Sequence, residues 1–218
     1  MSVPWSSRFN TLTRIFAGEH DGAEFGKLLA REVKTIPIDS DLAAATSGVG
    51  AAAGTGVTAV EYGDAIIHKT VLTVTALSVT STDATTSGAF GTQKVYDFPA
   101  GPIQILGCQY DLSLTKSGAG IDDAAEVVVG LGTAAATAGA TLASTEQDLI
   151  GSTVATLTAG AGAARKHGSL VATAYDGHTT PIDAILNFAM PDAGTSANAA
   201  ILFTGTITIH WINLGDYT

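Results

Sequence analysis

Between Ile201 and Ile212 the chain alternates. Ile201, Phe203, Gly205, Ile207, Ile209 and Trp211 fall on one side of a period of two, and Leu202, Thr204, Thr206, Thr208, His210 and Ile212 on the other. Successive strand residues point to opposite faces of a sheet, so the pattern dictates a half-buried antiparallel strand with one apolar and one threonine-rich face. The runs at 66–79, 94–98, 103–115, 126–131, 149–157, 169–175, 182–190 and 200–213 read as strands in the same way. They are separated by turn chemistry at 99–102, 116–123, 159–164, 176–178 and 191–196.

The residue supply supports the same class. Of 218 residues, 37 are Ala, 30 Thr and 25 Gly, and only 14% are charged. Threonine and small residues suit short strands and tight turns, and the long-chain helix formers are sparse. The spacing predicts a mainly β protein, an antiparallel β-sandwich of about eight strands with jelly-roll-like order, over residues 59–218. The alanine and threonine tracts at 133–143 and 159–164 read as low-complexity loops, because their flanks do not repeat in length or pattern.

The first 58 residues differ. Helical spacing is confined to residues 8–34, where Phe9, Leu12, Ile15 and Phe16, then Phe25, Leu28 and Leu29, recur at intervals of three and four around a break at Gly18 to Gly22. Two short amphipathic helices are expected there, each too short to stand without a partner. Residues 43–58 are Ala, Gly, Ser and Thr apart from two valines, which reads as a linker. Residues 1–58 are thus expected to form an arm.

Charge divides along the same line. Residues 1–34 hold five basic and four acidic side chains, whereas the rest hold five basic and sixteen acidic ones, within an overall formal charge of −10. An acidic body repels phosphate backbones, and no basic stripe with interleaved aromatics is present, so direct nucleic-acid binding is not expected. No apolar run approaches the roughly 18 residues of a membrane span. The N-terminus lacks signal-peptide order, and the single Cys108 reads as a small buried hydrophobe in a reducing compartment.

Chemistry-bearing motifs are few. Gly130-Leu131-Gly132 after a strand, with Asp148 eighteen positions beyond Gly130, imitates a dinucleotide fingerprint, but glycine and threonine follow where a helix is required. It reads as a strand-ending turn. The histidines at 20, 68, 167, 178 and 210 have no zinc-ligand spacing. The acids at 122, 123 and 126, and at 146 and 148, lack the calcium-loop pattern. No nucleophile elbow occurs, so an enzyme is not expected, nor a cofactor or metal.

One ordered set of segments carries a resemblance: Lys69-Thr70-Val71-Leu72-Thr73-Val74-Thr75, Tyr96-Asp97-Phe98-Pro99-Ala100-Gly101, Val129-Gly130-Leu131-Gly132-Thr133 and Gly205-Thr206-Ile207-Thr208-Ile209-His210-Trp211. In this order, over residues 60–214, the chain resembles the jelly-roll decoration or cement proteins of tailed phages. The resemblance implies a structural virion protein on the capsid exterior, assembled in the host cytoplasm. Its implied partners are the major capsid protein and two further copies in a homotrimer. The expected contact residues are Arg8, Phe9, Leu12, Arg14, Ile15, Phe16, Phe25, Leu28, Leu29 and Arg31 on the arm, and Thr204, Thr206, Thr208 and His210 on the last strand. The alternative is a fibre-base or receptor module binding glycan through an aromatic such as Tyr175 or Tyr217.

Overall fold

In a computed structural model of the protein, the described residues are 44–45, 48–83, 87–137, 139–168 and 173–215. The segment 8–34, where the amphipathic helices are expected, lies outside them. Among the described residues there are twelve strands: β1 (Ala51–Ala52), β2 (Val57–Gly63), β3 (Ile67–Thr80), β4 (Thr82–Asp83), β5 (Ala89–Asp97), β6 (Ile103–Ser117), β7 (Glu126–Gly132), β8 (Ile150–Thr156), β9 (Ala161–His167), β10 (Thr173–Tyr175), β11 (Asp183–Met190) and β12 (Ala200–Asn213).

They form two antiparallel sheets packed as a sandwich. The first sheet runs β10-β6-β12-β3-β2, with β9 also pairing β6, and the second runs β1-β5-β11-β7-β8, with β4 also pairing β5. The alternating segment is β12, the central strand of the first sheet. Its apolar set, Ile201, Phe203, Ile207, Ile209 and Trp211, is fully buried against the second sheet. Phe203 meets Phe188 of β11 across the interior, with ring centroids 6.1 Å apart. Val127, Val129 and Leu131 of β7 and Leu112 and Leu114 of β6 complete the same core.

Four strands exceed the sequence reading. The segment 43–58 does not stand off as a linker: Ala51 and Ala52 pair with Asp97 and Tyr96, and Val57 to Gly63 pair along β3. Residues 159–164 are not simply a loop, because β9 starts at Ala161 and pairs with β6 from Thr115 to Gln109. The two-residue β4 pairs with Phe90 and Ala89. These strands carry few large apolar side chains, so their conformation is imposed by the ladder of a neighbour rather than by their own pattern.

Two irregularities shape the centre of the first sheet. Between Leu77 and Val74 the β3 ladder bulges, so Thr75 and Ala76 together oppose Thr204. Ala76 adopts φ +47° at this bulge, and its N–H donates to the Thr204 hydroxyl at 3.1 Å. The adjacent Gly205 has φ +149°, and a Cβ there would lie 2.0 Å from the Asp111 carbonyl oxygen. Only glycine lets β12 and β6 approach at this point.

Candidate interaction face

The outward surfaces of the two sheets differ. Over the second sheet, Ala136 and Leu142 from the 133–143 tract pack on Phe90, Val128 and Ala189. Asn187 of β11, fully buried, fastens this roof: its amide donates to the carbonyls of Ala134 and Glu146 at 2.8 Å, and its oxygen accepts from Ala136 N–H at 3.0 Å. Glu146, itself buried, accepts from the N–H groups of Thr137 and Ala143.

The glycine-rich motif belongs to this roof. A Cβ on Gly132 would lie 2.3 Å from the Glu146 carbonyl carbon, and one on Gly130 would lie 2.8 Å from Leu142 Cδ1. The space a pyrophosphate would need is filled by the chain's own loop. Asp148 accepts from the N–H and hydroxyl of Thr133, both at 2.8 Å, which closes the turn after β7.

The outward face of the first sheet carries no such cover among the described residues. Its register sets side chains in rows across the strands. Thr58, Thr73, Thr206, Asp111 and Arg165 form one row, and Val60, Val71, Thr208, Gln109 and His167 the next. Tyr62, Lys69 and His210 follow, then Ile67, Ile212 and Gln104. Thr204, Thr206 and His210 are exposed at the centre. Thr208 is not: flanked in register by Val71 and Gln109, it retains 7% exposure and offers a partner little surface. Thr204 has a structural duty as well, through its hydroxyl at the Ala76 bulge. The ten arm positions, Arg8, Phe9, Leu12, Arg14, Ile15, Phe16, Phe25, Leu28, Leu29 and Arg31, lie outside the described residues.

Sequence reasoning missed the most distinctive part of this face. Arg165 Nε donates to Asp111 Oδ1 at 2.7 Å, with the two side chains 70% and 59% exposed. His167 Nδ1 lies 3.0 Å from Gln109 Oε1 in the neighbouring row. Around these pairs are two adjoining depressions of about 230 Å³ each, which share Asp111, Arg165 and Thr206. No local signal marked it, because Ala161–His167 has no large apolar residue and Arg165, Lys166 and His167 run together without alternation.

The remaining candidate groups are occupied or dispersed. Burial pushes the Cys108 thiol up to about 12, which leaves it protonated and unreactive at neutral pH. Tyr175 is half-buried in β10, and its hydroxyl points to the Asp148 carbonyl at 3.4 Å rather than standing free on a loop. Tyr217 and His20 lie outside the described residues. Among the described residues, no three His, Cys, Asp or Glu side chains gather where they could hold a metal ion. Compared with known proteins, the chain matches no family model and no curated protein.

Proposed function

We propose that this chain is a structural virion protein, a phage capsid decoration or cement protein that binds the outside of the head through the outward face of its first sheet. The observation that carries the reading is the asymmetry of the two outward surfaces. One is roofed by the loop that carries Ala136 and Leu142, fastened through Asn187, and the other, a threonine-bearing face of a six-stranded sheet, has no such roof among the described residues. A sheet face with few charges suits a lasting protein contact.

The connectivity supports the jelly-roll form of the sandwich. With the edge strand β2 and the three shortest strands set aside, the sheets read β3-β12-β6-β9 and β5-β11-β7-β8. The chain crosses between them at nearly every step, as two interlocked Greek keys require. In this reading the partners are the major capsid protein and further copies of the chain in a homotrimer. Purified protein added to phage heads built from a major capsid protein and lacking this chain tests the proposal. Saturable binding to the exterior with raised thermal stability of the heads supports it, and failure to bind contradicts it.

A further inference from the structure

The chain is acidic, yet among the described residues the outward face of the first sheet is not. Of the thirteen acidic side chains among the described residues only Asp111 stands on the outward face of the first sheet, beside two cations, Lys69 and Arg165. The face therefore carries +1, while the other described residues, with three cations and twelve acids, carry −9. Like charges brought together across an interface cost several kcal/mol, so a body this acidic meets an acidic surface only through a face cleared of carboxylates.

Within that cleared field, Arg165 is held for a second interaction. Asp111 binds it through Nε alone at 2.7 Å, and no bond from its terminal nitrogens to another described residue is present. The Asp111 contact orients a planar guanidinium whose remaining donors match a carboxylate in a two-point arrangement. The hydroxyl-bearing Thr206 lines both depressions beside it. Arginine in such a position is a frequent anchor of protein interfaces.

We infer that the outward face of the first sheet docks on an acidic protein surface, with Arg165 as the anchor for a partner carboxylate and Asp111 as the residue that positions it. This rests on the reading of the face as a contact surface and adds the chemistry of what it contacts. Asp111 both orients Arg165 and opposes an incoming carboxylate. Asp111→Asn keeps an oxygen for Nε and removes the opposing charge, so it tightens the interaction, whereas Arg165→Gln weakens it.

The test is a nuclear magnetic resonance titration of the full chain with hexaglutamate, with hexalysine and an oligothymidylate as separate arms. Hexaglutamate is expected to shift amides at 109–113, 163–167 and 204–206. Arg165→Gln should weaken that binding about fivefold and Asp111→Asn should strengthen it, with unchanged circular dichroism. No shifts on this face, equal binding by Arg165→Gln, weaker binding by Asp111→Asn, or tighter binding of oligothymidylate at the same amides overturns the inference. The two readings separate on phage heads. If Thr206→Glu abolishes head binding while Arg165→Gln leaves it intact, the carboxylate anchor is wrong and the contact face stands. If neither variant affects head binding, the contact face itself is wrong.

Discussion

The imidazole of His68 lies parallel to the indole of Trp211, with ring centroids 4.1 Å apart and 13° between the planes. Around this stack the first and second sheets are joined by polar as well as apolar contacts. Trp211 Nε1 donates to Thr70 Oγ1 at 2.9 Å, and Phe98 meets the indole edge-on at 5.2 Å. His68 Nδ1 faces Glu61 Oε2 at 3.2 Å, and Glu61 Oε1 accepts from the Tyr96 hydroxyl and from Gly50 N–H. All four large side chains, His68, Glu61, Tyr96 and Trp211, are buried.

Trp211→Ala should cost about 3–5 kcal/mol, since it removes the largest fully buried side chain and strands Thr70. Trp211→Phe keeps a stacking ring but not the donor, and should cost about 1–2 kcal/mol. Urea denaturation followed by fluorescence or circular dichroism checks both. Equal losses would mean that the indole bond to Thr70 contributes nothing.

Glu61 makes stability depend on pH in a definite direction. Burial holds its carboxyl above the ordinary 4.5, outweighing the bonds from Gly50 and His68 that pull it down. A folded value above the unfolded one means that the folded state binds the extra proton. The associated stabilisation is complete below the unfolded value and is lost as pH rises through the folded value. The unfolding free energy of the wild type minus that of Glu61→Gln should therefore fall as pH is raised from about 4 to about 7. Denaturation curves across that range measure it, and a rising difference would contradict the assignment.

The sandwich takes in residues ahead of the strong alternation: Ala44 bridges Tyr62, Gly50 N–H donates to Glu61, and Val57 is buried. A chain lacking residues 1–43 keeps every described strand and serves as the reference. Deleting 1–58 removes β1, the Gly50 bond to Glu61 and the buried Val57, and should cost about 2–4 kcal/mol. Differential scanning calorimetry distinguishes the two, and equal midpoints would show that 44–58 contributes nothing to the body.

Asn187 should control the roof independently of the core. Asn187→Ala leaves the Ala136 N–H and two carbonyls without partners, at about 1–3 kcal/mol. Amide hydrogen exchange should accelerate at 134–147 and remain slow on β6 and β12. Uniform acceleration would mean that the roof and the sandwich unfold as one unit.

How much of this was legible follows from side-chain size. The strands β3, β6, β7, β11 and β12 declare themselves because Leu72, Leu112, Val127, Phe188 and Phe203 alternate or cluster with large apolar contrast. The strand β9 buries only Ala164, and β1 has no side chain larger than a methyl, so neither has a period that composition can reveal. The burial of Thr208 and the Arg165 to Asp111 pair both depend on which residues lie opposite in register, a long-range relation absent from local pattern. The roof was legible only as a run of small residues, whose use became clear once Gly130 and Gly132 were seen beneath it.

The account stands most directly on the outward face of the first sheet. Thr206, exposed, central and free of the bulge duty of Thr204, is the position at which to disturb it. Val154, exposed on the second sheet, is the control. Binding of Thr206→Glu and Val154→Glu to heads lacking the protein should separate them: about tenfold weaker binding for the first with an unchanged thermal midpoint, and wild-type binding for the second. Wild-type binding by Thr206→Glu, or loss of binding confined to Val154→Glu, would contradict the assignment of this face as the contact surface.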